Sequence, residues 1–530
     1  MATGLSNLFY DSGVYGAALG AFVLWRVLVN PRRVKPDVPV VGSRVLFGWV
    51  TAVKSILGSK QLLEEGYRKY KDRTFEFPGF FAPTYVVSSP ELITEVRRAS
   101  DKDLSFWTEL VEAHGMRYTF TENMADDSWH FALLHRTLSS SHVDALFPDV
   151  IDEMRYAFDK VFAVPESGGK SIKFYDSILE LVVRINNRML VGLPLCRSDD
   201  YTKYSCTFLK RTATSAFYLS MLPERLRAPV VWLFGMRKPI NEGGRYLAPV
   251  IDERRKAGQE EENPNDFLQA MIDNAPPNCQ DAQELAVRLV STNLASTHTT
   301  ALPFTRVFYD LLAHPECLEP LREEAKSAIV DYGWTSEGIR AMVKLDSFFK
   351  ESMRYRGIQL TSLNRHVMRP TLLSDGILLP AGASLVADAW GVHHDPELYP
   401  EPDTLDPWRF SRKIEQGDSV VHNAFWTSST DYLVWGHGAH ACAGRFFATS
   451  VLKAVMAYIL LTYDFKLPDG EKEPKLDTCI SVAALPPMKG KFDFLQWMMD
   501  AAEGDQAKPH DLNLRILGVN FAATHTSTMT

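Results

Sequence analysis

The sequence predicts a mainly α-helical protein with a small β subdomain and an N-terminal membrane anchor. Three observations carry this. Helical hydrophobic periodicity dominates the chain beyond residue 60. Strand-like runs are few and short. One apolar stretch near the N-terminus is followed at once by basic residues. Composition agrees: 530 residues at 46% hydrophobic content can bury a large core, and the 30 Phe and 11 Trp suggest a lipophilic interior. The 31 Gly and 30 Pro are scattered, which excludes a disordered or collagen-like chain. With 57 basic against 65 acidic residues the net charge is −8, so no nucleic-acid partner held by bulk positive charge is expected.

The anchor comes first. Residues 13–29 read GVYGAALGAFVLWRVLV, about 25 Å as a helix, just short of a bilayer core. Arg26, its only charge, sits near one end where it can snorkel. Arg32, Arg33 and Lys35 come next as a cytoplasmic stop signal, then Pro36 and Pro39 stiffen a connector. No small-residue cleavage site is obvious, so an uncleaved anchor is expected, spanning the membrane or lying on it. Beyond it, periodicity predicts helices over 60–71, 90–100, 142–163, 174–192, 281–312, 315–331 and 343–356. Strands are predicted at TYVVSS (84–89), GILLP (376–380) and ASLVADA (383–389). The expected organisation is an anchor over 1–35, one large domain over 36–492, and an extension over 493–530.

That extension duplicates the middle of the chain. DFLQWMMD at 493–500 matches DFLQAMID at 266–273, and NFAATHTS at 520–527 matches NLASTHTT at 293–300, at one offset without gaps. The aligned 35 positions share 14 identities. The copy is too short for a second active domain and reads as a non-catalytic appendage duplicating residues 266–303.

None of the six cysteines has CxxC spacing, so neither a zinc ribbon nor a disulfide scaffold is suggested. Cys442 is set apart by its surroundings, WGHGAHACAGRFFA at 435–448. Gly436, Gly438 and Gly444 permit positive φ and close approach of backbone to a ligand. An apolar helix comes directly after, so a thiolate here meets N–H donors and the positive end of the helix dipole. One cysteine cannot complete a zinc site, but it can be the single axial protein ligand of a haem iron.

This segment resembles the haem-binding loop of the cytochrome P-450 monooxygenases, F-x-x-G-x-x-x-C-x-G. Gly438, His440, Cys442 and Gly444 match, and Trp435 replaces the usual Phe. Supporting motifs fall in the family's order. Glu351 and Arg354 match its ExxR; that pattern occurs at least seven times in the chain, and only this copy precedes a strand-rich stretch leading to Cys442. Arg409 in Pro407-Trp-Arg-Phe410 is the third partner of the structural lock that the resemblance implies. Ala295-Ser-Thr-His-Thr-Thr300 resembles the oxygen-activation motif, with Thr299 matched and His298 in place of the usual acid, as in many fungal members. Thr299 and His298 are therefore the candidate catalytic residues, His298 as a group able to titrate near neutrality and relay protons. Pro303 leaves the Thr299 carbonyl without its helical partner, loosening the helix there.

The resemblance implies a P-450-like fold over roughly residues 40–492. Its cofactor is haem b, with Cys442 as metal ligand and thiolate donor, and with electrons from NADPH through a cytochrome reductase partner. For the haem carboxylates it suggests Arg365 and His440. The usual W-x-x-x-R is broken, since position 133 after Trp129 holds Leu133; His130, His135 and Arg136 are nearby candidates. Family topology would place Phe106, Tyr118, Phe217, Leu294, Ala295, Leu360, Leu363 and Ala484 around the substrate pocket. The mostly apolar set favours a lipophilic secondary metabolite of terpenoid type. The expected location is the endoplasmic reticulum membrane, catalytic domain facing the cytoplasm. The alternatives are a non-oxygenase haem enzyme of the same fold, an isomerase or dehydratase favoured by the missing acid, and a haem-binding sensor or carrier.

Overall fold

A computed structural model of the chain describes residues 38–42, 49–77, 84–162, 173–220, 222, 224–257, 264–465, 478–480 and 483–485. The expected anchor at 13–29 and the duplicated segment at 493–530 lie outside the described residues.

Helices of seven or more residues are α1 (Trp49–Tyr70), α2 (Pro90–Arg98), α3 (Phe106–His114), α4 (Trp129–Thr137), α5 (Ser140–Val161), α6 (Phe174–Val191), α7 (Asp199–Ser220) and α8 (Glu224–Phe234). They continue with α9 (Lys238–Ala257), α10 (Phe267–Asn274), α11 (Ala282–Ala313), α12 (Leu318–Tyr332), α13 (Val343–Tyr355), α14 (Arg409–Glu415) and α15 (Arg445–Thr462). The strands are β1 (Phe75–Phe77), β2 (Thr84–Val87), β3 (Leu104–Ser105), β4 (Thr361–Val367), β5 (Thr371–Leu372), β6 (Leu378–Leu379), β7 (Ser384–Asp388), β8 (Thr478–Ile480) and β9 (Ala483–Leu485).

Local chemistry explains the boundaries that matter here. α2 starts where Ser89 Oγ accepts from the Leu92 N–H, with Pro90 in the first turn, and ends on Arg97 and Arg98, which suit the negative helix terminus. It buries Leu92, Ile93 and Val96. α11 starts on Asp281, whose Oδ1 accepts from Gln283 and Glu284. Its 32 residues give a rod of about 48 Å. Almost every residue from Leu285 to Leu311 is buried, because α6, α7, α9, α13 and α15 all pack on it. The expected helix at 60–71 is the second half of α1, which kinks at Gly58 (φ −124°, ψ 21°).

The main sheet has the order β1-β2-β7-β4-β3. β2 and β7 run parallel, Thr84 opposite Ser384, and the other pairings are antiparallel. β4 is the longest of the strands that periodicity did not predict. TSLNRHV has no apolar alternation because β4 lies inside the sheet and is buried on both faces. A register shift between Ser362 and Arg365 places Leu363 at φ +50° and re-aims the strand beyond it. α15 is the one described helix apolar and long enough to cross a membrane, and most of it is buried in the protein core.

Candidate active site

The segment from Leu433 to Arg445 folds back on itself through positive φ at Gly436 (71°) and Gly438 (85°). The Cys442 N–H donates to the Trp435 carbonyl at 2.7 Å, and Trp435 Nε1 is anchored on the Phe425 carbonyl at 2.5 Å. Cys442 is thereby buried at the foot of α15. Gly438 is required twice over: its φ disfavours any side chain, and a Cβ would lie 2.3 Å from Arg97 Cγ. Gly444 differs. Its φ is −85°, and a Cβ would meet nothing nearer than Cys442 Sγ and Leu138 Cδ1, both at 3.9 Å. The protein's own packing does not ask for glycine there.

Behind this loop, Glu351, Arg354 and Arg409 form one buried network. Arg354 donates to Glu351 at 2.8 and 2.9 Å, and Arg409 Nε donates to the same carboxylate at 3.0 and 3.1 Å. Arg354 Nη1 also binds the carbonyls of His393 (2.6 Å) and Pro402 (2.9 Å). His393 Nε2 accepts from the Leu433 N–H at 2.9 Å, and the Leu433 carbonyl accepts from Gly436 at 3.0 Å. The network thus reaches the cysteine loop through His393, whose ring is kept neutral by burial. The sequence contained no signal for His393.

A group of cations lies beside the loop. Arg365 is buried, and its Nη1 donates to the carbonyl of its neighbour Asn364. Burial pushes its pKa down to about 10, opposed by Asp101. His440 Nε2 is 3.0 Å from the Asp101 carboxylate, and its ring stacks on Phe106 at 5.2 Å. Burial first and Arg365 second lower its pKa. Arg445 donates to the Cys442 carbonyl at 2.8 Å. Among the described residues none of Arg97, Arg365 and Arg445 forms an ion pair, and the buried Nε of Arg97 and Nε1 of Trp129 have no hydrogen-bond partner. Sequence reasoning missed Arg97, Asp101 and Arg445, which carry no motif and are brought in by the packing of α2 on the loop and by the start of α15.

His130 and Arg136 are placed differently from expectation. His130 is buried with Nδ1 3.1 Å from Arg288 Nη1 and Nε2 3.5 Å from Ser291 Oγ, so both ring nitrogens are engaged by α11. Desolvation and the Arg288 charge hold it well below the usual histidine range. It is a neutral core histidine, not a carboxylate-binding cation. Arg136 is exposed on α4.

On α11, Thr299 Oγ1 donates back to the Ala295 carbonyl. His298 Nδ1 lies 2.7 Å from the Tyr175 hydroxyl on α6. Desolvation pushes the pKa of His298 down to about 4. At pH 7 it is neutral.

Leu294 and Ala295 are buried on α11 beside these two residues. The other expected pocket residues lie on other elements. Phe106 covers the cations, 5.7 Å from the Arg365 guanidinium and stacked on His440. Leu360 belongs to the sheet core with Val41, Leu63 and Phe75, and Leu363 to a second cluster with Val38 and Tyr85. Leu363 is on β4, and Leu360 lies just before it. Tyr118 is half-buried with its carbonyl on Arg237 Nε at 2.8 Å. Ala484 lies in the β8–β9 hairpin, and its side chain and that of Phe217 lie outside the described residues.

A buried cysteine on a glycine loop, locked from behind and ringed by cations, can now be set against known proteins. The family model for cytochrome P450 matches residues 44–494. The chain belongs to the cytochrome P450 family. It is a P450 monooxygenase similar to cytochrome P450 monooxygenase CYP512U6 of Ganoderma lucidum, 34% identical over 465 residues, covering 86% of this chain and 90% of that one. Cytochrome P450 monooxygenase 71 of Postia placenta is 33% identical over 464 residues, covering 86% and 91%. Ent-kaurene oxidase of Gibberella intermedia is 28% identical over 471 residues, covering 87% and 88%.

The P450 family implies haem, and the residues present fit it. The group needs one thiolate, and Cys442 is buried two residues before the N-cap Gly444 of α15. It brings two carboxylates, and Arg97, Arg365 and Trp129 supply buried donors with spare capacity. Gly444 leaves space next to the sulfur that a side chain would fill.

Proposed function

We propose that this P450 monooxygenase oxidises a lipophilic secondary metabolite of terpenoid type, with haem b as cofactor and electrons from NADPH through a membrane-bound reductase. The observation that carries the reading is the Cys442 loop: a buried thiol backed by the Glu351–Arg354–Arg409 network, beside Arg97, Arg365 and Arg445, which form no ion pair among the described residues. Apolar Leu294 and Ala295 next to Thr299 support a lipophilic substrate, and the relative named ent-kaurene oxidase supports the terpenoid class.

Haem, when bound, supplies the oxygen-activating redox chemistry. This chain's residues prepare for it. Cys442 would supply the sulfur ligand, and its N–H bond to the Trp435 carbonyl fixes the direction of the loop. Arg365, His440, Arg97 and Trp129 would hold the haem carboxylates, and Phe106 stacks on His440. Thr299 keeps its hydroxyl proton on the Ala295 carbonyl until a better acceptor arrives. Buried His298 stays neutral. The expected location is the endoplasmic reticulum membrane.

The test is a reduced, carbon-monoxide difference spectrum of membranes from an expressing host, with Cys442→Ser alongside. The wild type is expected to show a thiolate-type Soret band that the variant lacks. Haem bound without that band in the wild type would remove the Cys442 assignment. For the substrate, metabolites of expressing and non-expressing hosts are compared after feeding terpenoid hydrocarbons. Oxidation of none of them, with oxidation of another lipophilic class, would overturn the terpenoid reading.

A further inference from the structure

α11 carries His298 on the side facing α6, and the contact there is polar. Tyr175 is buried on α6, and its ring packs against that of His298. Its hydroxyl points to His298 Nδ1 at 2.7 Å, and the two rings lie 28° apart. The same stretch of α11 is pinned to α6 twice more, by Asn186 Nδ2 on the Ser296 carbonyl (3.0 Å) and by Asn293 Nδ2 on Asn187 Oδ1 (2.7 Å). The opposite ring atom, His298 Nε2, is buried and has no hydrogen-bond partner among the described residues.

The proton in the Tyr175–His298 bond can be assigned on chemical grounds. A phenol is a good donor and a weak acceptor, and a neutral imidazole nitrogen is a better acceptor than a phenol oxygen. Tyr175 therefore donates to Nδ1, which leaves the ring's single proton on Nε2. A buried N–H without a partner is costly unless water or a ligand satisfies it.

We propose that Tyr175 is a positioning residue that holds His298 in the Nε2–H tautomer, so that α11 presents a fixed neutral donor, not a proton relay, where the family pattern has an acid. His298 cannot pass a proton on by taking one from Tyr175, because a phenolate at that buried position, near Asp176, is strongly disfavoured. It instead orients a water or the substrate's oxygen through Nε2–H, and the proton itself reaches the site through solvent. The proposal rests on α11 being the oxygen side of the haem.

Tyr175→Phe removes the acceptor's partner with little change in shape. In the whole protein with selectively 15N-labelled histidine, His298 is expected to show one protonated Nε2 in the wild type and exchange between tautomers in the variant. This readout does not depend on turnover, so it separates the tautomer assignment from the role of α11. In reconstituted turnover, hydrogen peroxide released per NADPH is expected to rise roughly fivefold, the ratio that losing one ordinary hydrogen bond allows. His298→Phe should raise it as much, and the double variant no further. An Nδ1–H tautomer in the wild type, or unchanged tautomer and peroxide yield in Tyr175→Phe, would overturn the proposal. Altered tautomer with unchanged peroxide in both single variants would overturn the placement of His298 on the oxygen side.

Discussion

At the scale of single residues, the site depends on atoms whose neighbours leave no alternative. Gly438→Ala puts a side chain at φ +85° and a Cβ against Arg97 Cγ. The backbone term alone costs about 1–2 kcal/mol, and Arg97 must move as well. The expected result is a lower melting temperature and a reduced haem-to-protein ratio; Gly444→Ala, at ordinary φ, should keep its stability yet lose haem. His298 gives a signed pH prediction. Its pKa in the fold is depressed to about 4 from 6.5, so the unfolded chain takes up a proton as pH falls through 6.5 while the folded chain does not. Stability from this residue is present above pH 6.5 and declines toward pH 4. Denaturant titrations at pH 7 and pH 5 should show His298→Gln losing less stability on acidification than the wild type. Thr299 and Cys442 were legible as residues because motif and spacing mark them. Tyr175 and Arg97 were not, since nothing in a sequence 123 positions away says that a tyrosine meets a histidine.

Among elements, the connection that matters runs from α13 to the cysteine loop. Glu351 is satisfied by two arginines and by the backbone N–H of Asp406 at 3.0 Å. Removing its charge leaves Arg354 and Arg409 buried against a neutral group. Breaking such a pair costs about 3–5 kcal/mol. Glu351→Gln is therefore expected to shift the urea midpoint strongly and to yield protein without the thiolate-type Soret band, although Glu351 never touches Cys442. A shift below 1 kcal/mol would mean that the network does not support the loop. The ExxR helix could be chosen among its copies only by the strand-rich stretch between it and Cys442. The first strand after that helix, β4, was not readable, because an interior strand buried on both faces has no alternation. Leu363 on β4 and Leu360 just before it pack into two different hydrophobic clusters.

For the whole molecule, buried titratable groups set the response to pH. His130 and His393 lie well below the usual range and His394 is pushed down to about 4, each by burial first. With His298 they make four histidines that are neutral in the fold and charge on unfolding below pH 6.5. Asp388, raised to about 7 by burial, acts in the opposite direction, stabilising at acid pH and losing that contribution as pH rises through 7. So, more weakly, do Glu153, Asp266 and Glu324. The four larger histidine shifts should win, and the melting temperature is expected to be lower at pH 5 than at pH 7. The duplicated segment gives a separate prediction. It lies almost wholly beyond the family match at 44–494, so deleting residues 500–530 is expected to leave haem content unchanged. Loss of all bound haem would show that the copy is part of the enzyme.

The sequence by itself determined the class, because haem-thiolate chemistry needs one cysteine among glycines at the start of a helix, and both are local features. It also determined the helical character, since long amphipathic periods are local too. Only the tertiary structure decided which histidines lie beside the cysteine loop and which are core. His130 and His440 look alike in sequence, but one is enclosed by α11 and Arg288, and the other rests on Phe106 opposite Asp101. The physical reason is that charge state and orientation depend on burial and on partners far away in the chain, which no local spacing specifies.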